Sequence, residues 1–182
     1  MCRRASTLVC QTSDDFTVKS FRLARMSPLI LTMTLVLLAL PLAFFAGAQF
    51  AGRLLSVPAL LLLVLYAWVW LRFRPSRFVV QPQALEVVWP LKRRVLFRKD
   101  ISAVRLIDKQ ELQTEIGWGM RVGAGGLWGG FGWLWTKRRG IVQMYISRTD
   151  GFVWIECAGG RPWLITPEQP DAFVQALAGG KQ

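Results

Sequence analysis

Two uninterrupted apolar runs dominate the pattern of the chain, and a short glycine-containing stretch divides them. No charged residue lies between Arg25 and Arg53, or between Arg53 and Arg72. As helices, Pro28–Phe50 would extend roughly 35 Å and Leu54–Leu71 roughly 27 Å, against a bilayer hydrocarbon core of about 30 Å. The pattern predicts two transmembrane helices, about 28–50 and 54–71, within a segment 27–72 and joined by a turn through Gly47–Arg53. Pro41 and Pro58 fall inside the runs, where neighbouring groups can re-satisfy the backbone. Neither run carries an ionisable residue, which argues against a transporter or channel. The first run is too long for the core of a cleaved signal peptide, and a second run follows it. The N-terminal tail, 1–26, is expected to be disordered, with Met26 an alternative start.

Beyond Arg77 the apolar pattern shortens to strand length. Runs at 78–81, 84–89, 95–97, 101–107, 141–147, 152–157 and 162–166 predict about seven antiparallel strands, rich in β-branched and aromatic residues. Arg148-Thr149-Asp150-Gly151 reads as a hairpin turn, and Ala158-Gly159-Gly160-Arg161 as another. The stretch from Asp108 to Glu115 reads as a loop or short polar helix. After Thr166, an early proline and acidic residues signal a helix start. Phe173 and Leu177 then share one face, and Gly179-Gly180 stops the helix.

Gly140 with Tyr145-Ile146-Ser147, the Asp150-Gly151 turn, and Ile165-Thr166-Pro167-Glu168-Gln169-Pro170-Asp171-Ala172-Phe173, in this order of elements, resemble the bacterial pleckstrin-homology (PH)-like domains of small membrane proteins. In those proteins a two-span hairpin commonly precedes the domain. The resemblance covers roughly Arg72–Leu177 and the hairpin. It implies a two-helix transmembrane hairpin followed by a mainly β, PH-like domain over 73–182. That domain would be a bent antiparallel sheet or barrel capped by a C-terminal α-helix, and Arg72–Gln182 would fold alone. The resemblance brings no catalytic residues with it.

Charge sets the expected orientation. Lys19, Arg22 and Arg25 precede the first run and Arg72, Arg74 and Arg77 follow the second, whereas the turn holds only Arg53. The positive-inside rule then places both termini in the cytoplasm, with Tyr66, Trp68 and Trp70 as an aromatic belt. With the resemblance, this implies a multi-pass protein of the bacterial inner (cytoplasmic) membrane.

Composition narrows the chemistry. Lys and Arg outnumber Asp and Glu 23 to 11, and there is no histidine. The common neutral-pH general base and the commonest metal ligand are therefore both missing. Cys2, Cys10 and Cys157 form no CxxC pair, so neither zinc nor a disulfide framework is expected. The acidic residues show no metal-type spacing. The expectation is a non-enzymatic protein with no cofactor and no metal.

Two features stand out as surfaces. Gly117–Trp135 mixes glycine with tryptophan; it lacks the GK[ST] of a Walker loop, and Trp128 stands where a dinucleotide fingerprint needs glycine. Either its glycines are bulges and kinks in strands with the tryptophans as core, or Leu127, Trp128, Phe131, Trp133 and Trp135 form a tip that enters the membrane interface. The basic clusters Lys92-Arg93-Arg94, Arg98-Lys99 and Lys137-Arg138-Arg139 read as a solvated face or as contacts to anionic lipid headgroups. No reader motif supports nucleic acid. Lys92, Arg93, Arg94, Trp128, Lys137, Arg138 and Arg139 are thus the candidate membrane- or partner-facing residues. The expected role is interaction of the domain with a protein partner, a second copy or the membrane surface. The other reading is an accessory subunit that packs through its hairpin against a larger membrane complex.

Overall fold

The computed structural model describes residues 18–52, 54 and 56–179. Most of the expected disordered tail, 1–17, and Arg53 in the turn lie outside the described residues. α1 (Pro28–Ala51) and α2 (Ser56–Phe73) are long and apolar enough to cross a membrane, and they pack on each other. Pro28 opens α1, where its missing N–H costs no bond. Pro41, inside α1, cannot donate to the carbonyl of Leu37 one turn back. The Tyr66 hydroxyl of α2 donates to that same carbonyl at 2.9 Å. Tyr66 is accordingly buried against α1 and takes no part in an outward aromatic belt, whereas Trp68 and Trp70 stay exposed.

Two sheets form the domain. The first contains β1 (Lys19–Arg22), β2 (Arg77–Val80), β3 (Ala84–Val88) and β4 (Arg93–Phe97), all antiparallel and in that order. The second is built from β5 (Ile101–Ile107), β6 (Gly119–Gly125), β7 (Gly130–Thr136), β8 (Gly140–Ile146), β9 (Phe152–Cys157) and β10 (Trp163–Ile165), in the order β5-β9-β10-β8-β7-β6. The expectation of antiparallel pairing fails at one place: β10 runs parallel to β8, with Trp163 opposite Gln143. The β9–β10 hairpin returns the chain between β9 and β8, so β10 meets β8 from the other side.

The expected tail is also corrected. Residues 19–24, ahead of Met26, belong to the folded domain, because Lys19–Arg22 pairs along β2 and buries Phe21 in the main core. The domain is therefore not confined to 73–182, and the hairpin is an insertion between its first two strands. The Gly/Trp segment forms the β6–β7 hairpin, and the Asp108 stretch forms α3 (Lys109–Ile116), started by a capping box between Asp108 and Glu111.

The main core lies between the sheets, around Phe21, Phe78, Leu85, Val87, Val153, Ile155, Trp163 and Ile165. α4 (Pro170–Ala178) closes it with Phe173 and Leu177. Its C-terminal carbonyls at Ala176 and Leu177 accept from the Arg98 guanidinium, a favourable place for a cation. A second core of Val142, Met144, Ile146, Phe152, Trp154 and Leu164 fills the opposite face of the larger sheet, under Ile116 of α3. β9 is buried on both faces, which accounts for its unbroken apolar run.

Candidate functional site

The chain that leads into α1 is stitched to the domain. Beyond β1, the Ala24 N–H donates to the Thr166 carbonyl at 3.0 Å and the Glu168 N–H donates to the Arg22 carbonyl at 2.9 Å. The Ser147 hydroxyl donates to the Ala24 carbonyl at 2.6 Å, and the Ser147 N–H donates to the Thr166 hydroxyl. Ser147 and Thr166 are fully buried, so these bonds are shielded from water. On the other flank, the Trp89 indole donates to the Phe73 carbonyl at the end of α2 at 3.0 Å, and the Ser76 N–H donates to Val88. Both exits of the hairpin are anchored.

A third anchor comes from the loop between β6 and β7. Thr34, two turns into α1, accepts from the Trp128 N–H at 2.9 Å, and its hydroxyl lies 2.7 Å from the Ile30 carbonyl and 3.1 Å from that of Gly126. The Trp128 ring packs edge-on against Trp70 of α2, with centroids 4.7 Å apart, and Arg74 lies over the Trp70 ring. Trp128 has a positive φ of 60°, a conformation costing a bulky residue roughly 1–2 kcal/mol. Its contacts to both helices oppose that cost. The loop Gly126–Gly129 is therefore wedged against the base of the hairpin.

The remaining aromatic candidates divide. Leu127 and Phe131 are buried, whereas Trp133 and Trp135 are exposed, on β7 and not on a tip. With Met120 and Val122 opposite them and Ile141 beside Trp135, they form an open apolar face along the β6 edge.

The basic candidates are not one surface. Lys137, Arg138 and Arg139 occupy the β7–β8 turn, and the seven residues of β7 separate them from the Trp128 loop by roughly 23 Å. Arg139 pairs with Glu115, which also holds Arg105, and Arg138 donates to the Thr114 carbonyl. These arginine hydrogen bonds hold the Glu115 carboxyl below the usual carboxylate range. Of the first triplet, Arg94 turns inward to Gln143 at 2.7 Å and over Trp163. Arg93 points to the outer face near Glu86. Lys92 lies over the Trp89 ring; partial burial, then Arg72 and Arg94, lower its pKa.

Two cavities flank this junction. One, of about 410 Å³ and mainly apolar, lies between α1, α3 and the larger sheet, with Met33, Leu112 and Met144 in its wall. The other, of about 870 Å³, opens on the outer face of the first sheet and is lined by Arg22, Arg77, Lys92 and Arg93. Arg22 and Arg77 enter the sequence reading only as orientation signals. The alternation of Ser20, Phe21, Arg22 and Leu23 is the local trace of the strand that places Arg22 there. Among the described residues no group of three or more His, Cys, Asp or Glu could hold a metal ion. Burial pushes the Cys157 thiol up, away from the range of a reactive thiolate.

Residues 76–180, more than half of the chain, match the family described as Bacterial PH domain. No curated protein and no solved structure matches the chain.

Proposed function

Since this chain belongs to the bacterial PH domain family, we propose that it is an integral membrane protein whose domain is a non-enzymatic binding module held at the membrane surface. The observation that carries this reading is the three-point anchorage of the domain to the hairpin: Ser147 and Thr166 on one exit, Trp89 on the other, and the Trp128 loop between them. A domain serving only as a tethered soluble module would need no such contacts. Because β1 and β2 pair directly, the two flanks of the hairpin lie together. The basic residues of both flanks then sit on one side, which the positive-inside rule makes cytoplasmic. The setting is the bacterial inner membrane, with both termini inside. The open apolar face of Met120, Val122, Trp133 and Trp135 suits a protein partner or a second copy.

A reporter fused after Gln182 tests the orientation, and alkaline carbonate extraction tests the integration. Activity of a cytoplasm-only reporter with a carbonate-resistant chain is expected. A reporter active only outside the membrane, or a chain released by carbonate, would overturn the reading.

A further inference from the structure

The register of the first sheet sets three arginines in one row. Arg22 pairs with Arg77, Arg77 with Val88, and Val88 with Arg93. Directly paired residues of antiparallel strands point to the same face, so all three side chains leave the outer face of the sheet. Like charges directly opposite destabilise a sheet, yet Arg22 and Arg77 have no carboxylate partner among the described residues. Only Arg93 reaches one, Glu86 at 3.5 Å. The row lines the cavity of about 870 Å³ together with Lys92 and the serines Ser20 and Ser76, and among the described residues no carboxylate lines that cavity. Such an arrangement repels itself when empty and is relieved by an anion.

We propose that Arg22, Arg77 and Arg93, with Lys92 beside them, bind the phosphate group of an anionic membrane lipid. Planar guanidinium groups match phosphate oxygens in pairs, and the serine hydroxyls add neutral donors. The location selects the source of the phosphate, and here the inference rests on the membrane reading above. Arg22 lies just before α1 and Arg77 just after α2. A smaller cavity of about 270 Å³, lined by Arg22, Arg74 and Trp70, continues from the row to the end of α2. When α1 and α2 span a bilayer, the row stands at headgroup level. Exposed Leu91 on the cavity wall faces the same region.

The test uses the full chain in a neutral detergent, titrated with phosphatidylglycerol, phosphatidylcholine or glycerol 3-phosphate, with affinity read by thermophoresis. The variant Arg22→Gln with Arg77→Gln is compared with Lys109→Gln and Arg161→Gln, which remove equal charge elsewhere. At about fivefold per basic side chain, the first pair should weaken phosphatidylglycerol binding about 25-fold, and the second less than twofold. Without lipid, the first pair should also melt above the unmodified chain, because mutual repulsion is gone; a variant that merely misfolds would melt below it. Equal weakening in both pairs, or undiminished binding in the first, would overturn the site. Glycerol 3-phosphate binding as tightly as phosphatidylglycerol would assign the row to a free phosphate ester and overturn the lipid claim. Carbonate release of the chain would overturn the membrane reading instead, while the glycerol 3-phosphate arm still tests the row.

Discussion

Removing β1 should unfold the domain even though every residue of the family match remains. The cost can be worked from two side chains. Phe21 is buried in the main core, edge-on to Phe173 with centroids 5.3 Å apart, and Leu23 is buried beside it. Truncating a buried Phe costs about 3–5 kcal/mol and a buried Leu about 2–5 kcal/mol. Deleting the strand with Leu23, which follows it, forfeits both, together with the hydrogen bonds along β2. That loss is comparable to the whole stability of a typical domain, about 5–15 kcal/mol.

The domain can be measured without its helices, because β1 and β2 are antiparallel neighbours. Replacing residues 28–73 with a short Gly-Ser linker keeps both strands. Urea unfolding of that variant, followed by tryptophan fluorescence, should be cooperative. Phe21→Ala in it should cost about 3–4 kcal/mol, and a double-mutant cycle with Phe173→Ala should show a coupling of about 0.5–1.5 kcal/mol from the ring pair. The fragment 72–182, without β1, should be largely unfolded. If that fragment is as stable as the linked variant, β1 is an accessory and the corrected domain boundary is wrong.

Three further outcomes follow from particular contacts. Tyr66→Phe leaves the Leu37 carbonyl opposite Pro41 without its donor, so the full chain in detergent should lose about 1–3 kcal/mol; an unchanged melting temperature would mean the bond is dispensable. Thr34→Val removes the acceptor of the Trp128 N–H and should make the Trp128 loop accessible to protease in membranes, with no change if the wedge is incidental. Glu115 is held below the ordinary carboxylate range by Arg105 and Arg139, so its stabilisation is full above the unfolded value of about 4.3 and fades as pH falls through the lowered one. Acid unfolding of the linked variant should therefore be less steep with Glu115→Gln, and identical acid limbs would remove Glu115 from the account.

Much of the fold is legible in the chain because burial writes simple patterns. The two apolar helices announce themselves by the absence of charge over 26–52 and 54–71. α4 shows its buried face through Phe173 and Leu177, and the hairpin at Asp150-Gly151 through its turn residues. β1 escapes because four residues, two of them basic, show little periodicity, and their partner strand lies beyond both helices. β6 and β7 are only half legible, because glycine opposes strand propensity and leaves the strand reading standing beside the membrane-tip one. The structure gives the reason for two of those glycines: a Cβ at Gly123 would meet the Phe131 carbonyl oxygen at 2.3 Å, and one at Gly132 would meet that of Val122 at 2.6 Å. The strands approach too closely there for any side chain. The candidate site was legible only in part for a related reason. Adjacent basic residues look like one patch in sequence, yet a strand sends Arg93 outward and Arg94 inward, and only the register brings Arg22 and Arg77 to Arg93.

The central claim is that the domain is completed by the strand ahead of the hairpin, which fixes it at the base of the helices. Ser20 and Val79 are direct partners on β1 and β2. In a chain with Cys2, Cys10 and Cys157 replaced by alanine, Ser20→Cys with Val79→Cys should form a disulfide when isolated membranes are mildly oxidised, protecting both thiols from a maleimide polymer. Ser20→Cys with Val95→Cys, on the same face but three strands over, should stay reactive, since the Cα separation there exceeds what a disulfide spans. Full protection of the first pair alone is the predicted result. Two freely reactive thiols in the Ser20–Val79 pair would show that β1 does not pair with β2 in the membrane, and would contradict the account.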